Sequence, residues 1–101
     1  MHLIELLLPL YDNRGERLPS RLYAQLREEL VDRFGGLTAF SRSPAEGVWE
    51  EGGERAHDDI VIFEVMSDYL DRDWWRRLRE RLETEFRQKE IVVRAREVER
   101  L

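Results

Sequence analysis

The run IVIFEVM, Ile60 to Met66, constrains this chain more than any other segment. Read as a strand, it places Ile60, Ile62, Glu64 and Met66 on one face and Val61, Phe63 and Val65 on the other. Apolar residues on both faces predict a central strand covered from both sides. Any fold must therefore provide this strand with neighbours on its edges and layers on its faces. Two helical stripes meet part of that need. Leu22, Leu26, Leu30 and Phe34 recur every four residues within a helix expected over Ser20–Phe34, with Tyr23 and Val31 widening the stripe. Trp75, Leu78, Leu82 and Phe86, at spacings of three and four, make a like stripe within a helix expected over Trp74–Lys89.

The boundaries follow from local chemistry. Ser20 is the expected N-cap of the first helix, and Gly35-Gly36 its stop. Asp71 or Asp73 is expected to cap the second. His2 to Leu10 alternates as a strand, with Ile4, Leu6, Leu8 and Leu10 opposite Leu3, Glu5 and Leu7, and Pro9 belongs near its end. The stretch after it, with Asp12, Asn13, Gly15 and Pro19, is dense in turn formers. Thr38–Arg42 is a further strand. Pro44 interrupts it, Ala45–Gly47 reads as a bulge, Val48 and Trp49 resume it, and Glu50–Gly53 reads as a hairpin turn. Ile91–Val98 is the last strand.

The predicted order is β-α-β-β-α-β. Right-handed crossovers put both helices on one face of an antiparallel sheet. This is the α+β, ferredoxin-like βαββαβ sandwich with strand order 4-1-3-2, one domain over residues 1–101. Hydrophobic residues at 42% argue against disorder, and 39% charged residues describe a wet surface around a compact core.

Several functional classes are disfavoured by composition. There is no cysteine, hence no disulfide framework, thiol nucleophile or cysteine-based zinc site. The apolar opening lacks the basic leader and cleavage site of a secretory signal and is too short to span a membrane. A cytoplasmic protein without membrane attachment is expected. Net charge −5 disfavours nucleic-acid binding. The basic residues are arginines except for Lys89, a bias that points to a GC-rich bacterial source. No cofactor and no metal is expected.

The sheet face without helices is the informative surface. It is expected to carry Leu3, Glu5 and Leu7, with Val92, Arg94, Arg96 and Val98, and one or the other side of Ile60–Met66. Such a patch marks an interaction site, and a homodimer through this face or a sheet edge is expected. Glu5 is expected to pair with Arg94 or Arg96 across neighbouring strands.

Candidate chemistry is sparse. His57-Asp58-Asp59 places an imidazole and carboxylates together, but on a strand only His57 and Asp59 converge. Two ligands are too few for a metal, and a polar lead-in to the strand is the plainer reading. Of Trp74 and Trp75 only one can sit on the core stripe; the other, like Trp49, is a rim indole able to wall a cavity. Arg42, Arg94 and Arg96 can grip an anion in a guanidinium fork, or simply pair with glutamates. Gly35-Gly36 ends a helix, so it is no phosphate loop, and Ser41 and Ser43 lack a suitably spaced histidine.

The stretches FGGLT, SPAEGVW, HDDIVIFEVM, DRDWW and FRQKEIVVRA together resemble a family of small bacterial proteins to which no activity is attached. The resemblance spans about Phe34 to Ala95 and implies a common fold. If its motifs mark a site, the resemblance implies Thr38, Arg42, Trp49, Asp58, Asp59, Trp74, Gln88 and Glu90. The architecture is also similar to that of the dimeric α+β barrel proteins, which include monooxygenases and haem-degrading enzymes; no histidine here is placed as a haem ligand. The leading expectation is a homodimeric domain without catalysis that binds a small ligand or a protein. The alternative is a small barrel-type enzyme, monooxygenase- or isomerase-like, acting on an apolar substrate, with Trp74 or Trp49 at its pocket wall and His57 or Asp59 pointing in. A third is a nuclease with Asp12 as metal ligand, disfavoured by the negative charge.

Overall fold

A computed structural model of the chain describes residues 1–42 and 60–101, of Arg42 the backbone only. Pro44, the expected Ala45–Gly47 bulge, the Val48–Trp49 strand and the Glu50–Gly53 hairpin lie outside the described residues, as do Ser43, His57, Asp58 and Asp59.

The element order is β1 (His2–Pro9), α1 (Ser20–Phe34), β2 (Thr38–Arg42), β3 (Ile60–Ser67), α2 (Arg72–Glu85) and β4 (Val92–Glu97). The four strands form one sheet, β2-β3-β1-β4, with every neighbouring pair antiparallel. From the other edge this is the expected 4-1-3-2, and the fold is a ferredoxin-like α+β sandwich. No helix among the described residues is long and apolar enough to cross a membrane.

Alternation decides which residues the helices cover. Ile4, Leu6 and Leu8 of β1 and Phe63 and Val65 of β3 are buried in one cluster with Leu22, Leu26 and Leu30 of α1 and Trp75, Leu78 and Leu82 of α2. Leu18, Phe86 and Ile91 complete it. The third strand thus turns Val61, Phe63 and Val65 towards the helices, resolving the choice its two apolar faces leave open. Val31, expected on the apolar stripe of α1, is exposed instead.

The helix ends differ from the sequence expectation in two places. Pro19 occupies the N-cap of α1 and no side chain caps it; Ser20 is the first helical residue. Proline's fixed φ suits the entry to a helix, so the helix starts without the serine hydroxyl. At the far end Gly35 adopts φ 81° and its N–H donates to the Val31 carbonyl, as a glycine stop should.

Helix α2 begins earlier and stops earlier than expected. The Asp71 carboxylate accepts from the Trp74 N–H at 3.1 Å and fixes the start. After Phe86, Arg87 turns left-handed at φ 52°. The Arg87 N–H then donates to the Thr84 carbonyl and the Gln88 N–H to that of Glu83, which is the pairing of a Schellman motif built on a non-glycine residue.

Candidate functional site

The strand registers assemble the uncovered face row by row. Ile62 of β3 lies opposite Phe40 of β2 on one side and Leu7 of β1 on the other, and Leu7 lies opposite Val92 of β4. An apolar row thus crosses all four strands. Phe40 is 47% exposed and Val92 43%, whereas Ile62 between them is buried outside the main core cluster. Met66, opposite Leu3, is exposed as well.

The neighbouring row is polar. It runs Thr38, Glu64, Glu5, Arg94 from β2 to β4. Arg94 Nε approaches Glu5 Oε1 at 3.3 Å, the expected cross-strand pair, with the arginine in the role and Arg96 one row away opposite Leu3. Partial burial and the facing Glu5 carboxylate, which can share a hydrogen bond with it, raise Glu64 above its ordinary 4.5, while Arg96 pulls it the other way. Two carboxylates side by side beneath an arginine are the main electrostatic feature of this face. Sequence reasoning placed Glu5 and Glu64 on strands; it could not align them, because alternation gives a face and only register gives a partner.

Of the expected site residues, Thr38, Arg94 and Arg96 share this face, and the backbone of Arg42 is in register with Ile60. Trp49, His57, Asp58 and Asp59 lie outside the described residues. Trp74 is elsewhere, in the first turn of α2 on the helical side. Its ring packs edge-on to Phe34 and Trp75, with centroids 5.4 and 4.8 Å away, and the Arg33 guanidinium covers it at 4.2 Å. The indole pair divides as the helical geometry requires: Trp75 is buried, stacked on Phe34, and Trp74 sits at the rim.

Gln88 and Asp12 have structural work. The Gln88 amide donates to the carbonyls of Tyr11 and Phe86, at 3.0 and 3.1 Å, tying the end of α2 to the loop after β1. Asp12 Oδ1 accepts from the N–H groups of Arg14 and Glu16 at 2.8 and 2.9 Å. Those bonds, with Arg87 nearby, hold the Asp12 carboxyl below its ordinary 3.8. An oxygen engaged with two backbone donors organises a turn. Among the described residues no group of three or more histidines, cysteines or acidic residues is placed to hold a metal.

Tyr23 closes the opposite side of the sheet. Its hydroxyl donates to the Pro9 carbonyl and its ring meets Phe86 edge-on. Burial pushes its ionisation up to about 12, so the phenol remains a donor at any physiological pH.

No protein-family model matches the chain, and no curated protein matches it. Among solved structures, a phage SAM lyase in complex with S-methyl-5'-thioadenosine has a similar fold. The TM-score is 0.59 over 95% of this chain and 80% of that one, at 13% sequence identity. A likeness at that identity is one of fold.

Proposed function

We propose that the protein is a homodimeric binding domain whose sheet face without helices meets a second copy. The observation that carries this is the apolar row Phe40, Ile62, Leu7, Val92 across the whole sheet. Its two ends, Phe40 and Val92, are exposed, and exposed apolar side chains grouped on one sheet face mark interaction surfaces in small domains, which gain by association the burial they lack alone. The adjacent polar row supplies both signs of charge on one surface, which suits a self-complementary contact. A small ligand or a partner protein is then bound by the dimer.

Sedimentation velocity at micromolar concentration tests it. A dimer is expected, and Phe40→Glu with Val92→Glu, both at exposed positions, is expected to give a folded monomer. A parent chain that sediments as a monomer removes the reading.

The second reading, a small enzyme, is supported by one observation: the structure sharing the fold is that of a lyase with a thioadenosine bound. Incubation with SAM followed by chromatography for S-methyl-5'-thioadenosine decides it, and absence of turnover sets that activity aside.

A further inference from the structure

On the helical side of the molecule a groove runs between α2 and β4, the strand at the sheet edge. Its floor is apolar, formed by Leu70, Trp75, Val93 and the core residue Ile4. Arg72, Arg76 and Arg79 form its wall. At i, i+4 and i+7 these three lie along one face of the helix.

The charges on that wall are not balanced. Arg76 bonds Asp73 at 2.9 Å. Arg72 and Arg79 have no carboxylate within ion-pair distance among the described residues, in a chain where acidic residues outnumber basic ones by 22 to 17. The Arg79 Nε is buried and has no hydrogen-bond partner among the described residues. A buried donor without an acceptor costs stability, so its presence asks for a partner.

Of the three, Arg72 lies in the first turn of α2, where the helix dipole is positive and a cation is unfavourable. Asp71 at the N-cap and Asp73 in the first turn offset the dipole there, and Arg76 and Arg79 follow further along the helix. The three guanidinium groups make a positive wall in a chain of net charge −5, above a floor that favours an apolar group.

We infer that this groove binds a small organic oxyanion, a carboxylate or phosphate carried on an apolar body about the size of one aromatic ring. The space is about 210 Å³, compared with the roughly 150 Å³ cavity known to accept benzene. The ring lies on Trp75 and Val93. The oxyanion meets Arg72 and Arg79, whose guanidinium forks match its geometry. The site is on the opposite side of the sheet from the proposed dimer face and does not depend on it.

Heteronuclear NMR on the full-length, ¹⁵N-labelled chain tests this directly, because arginine Nε–H and indole N–H signals are both visible. Phenyl phosphate and phenylacetate are the probes, with inorganic phosphate and benzyl alcohol as the separated halves. The expected result is saturable shifting of the Arg79 Nε–H and Trp75 indole signals. At least one probe should bind ten times more tightly than either half, and the tighter probe identifies the headgroup. Arg72→Gln, at an exposed position, should weaken binding about tenfold, and Ala95→Leu should block the groove. Unshifted Arg79 and Trp75 signals, or unchanged affinity in Arg72→Gln, would overturn the inference.

Discussion

Arg87 and Glu64 are the two residues whose placement runs against their chemistry. Arg87 closes α2 in the left-handed region at φ 52°, where an L side chain costs about 1 kcal/mol. Its pairing with Asp12 is long, at 3.8 Å, and the arginine end is 74% exposed, so it returns little. Arg87→Gly is therefore expected to stabilise the fold by about 0.5–1 kcal/mol, net of glycine's extra freedom when unfolded. Denaturant melts compare it with Arg87→Ala, which keeps the strain and should show no gain.

Glu64 carries the pH dependence. Its folded ionisation lies above the ordinary 4.5, from burial first and the Glu5 carboxylate second. The folded state therefore takes up a proton more readily than the unfolded one. The penalty is present in full at neutral pH and is relieved as pH falls through the raised value. Glu64→Gln should be more stable than the parent at pH 7 by about 0.2–1 kcal/mol, the range for like charges facing across strands. The difference should close as pH is lowered and Glu64 becomes neutral by itself. A gap that stays constant from pH 7 to 4.5 would mean the carboxylate pair is not its source.

Helix α2 is the element in which several roles meet. Its N-terminus is fixed by Asp71, which also faces Arg33 of α1 at 3.8 Å. Asp71→Ala should cost about 1 kcal/mol through the lost cap, measured by chemical denaturation. Leu82, fully buried, should cost about 2–5 kcal/mol on truncation to alanine. The stripe of this helix was readable from the sequence because periodicity records burial directly. Its C-terminus was not, since an arginine in a left-handed turn leaves no compositional mark as Gly35 does for α1. The candidate face was half readable. Alternation put Arg94 and Arg96 on the face without helices and Thr38 on a strand whose facing it left open, while Trp74, chosen for its chemistry, belongs to a helix rim on the opposite side of the sheet. The arginine wall facing Val93 looked like a solvated helical face, because spacing along one helix says nothing of the strand beside it.

For the whole molecule, the sheet separates two surfaces with different tasks. One face is sealed by the two helices around Leu6, Leu8 and Phe63, and the other presents the apolar row. The proposed association through that row would make stability depend on concentration, because a dimer interface stabilises only the folded state. The thermal midpoint is expected to rise with protein concentration for the parent chain and to be flat for the Phe40→Glu, Val92→Glu pair. A flat parent curve would agree with a monomer.

The position of β1 has a consequence in time. β1, with its core residues Ile4, Leu6 and Leu8, pairs on both edges with β3 and β4, the two of the four described strands that are made latest. During synthesis, segments as far as β2 leave the ribosome while both partners of β1 are still absent. Non-local pairings of this kind carry a loop-closure cost before any gain is realised. Until β3 and β4 are available the nascent chain must keep LIELLL from sticking to other chains, and that hazard ends when they dock.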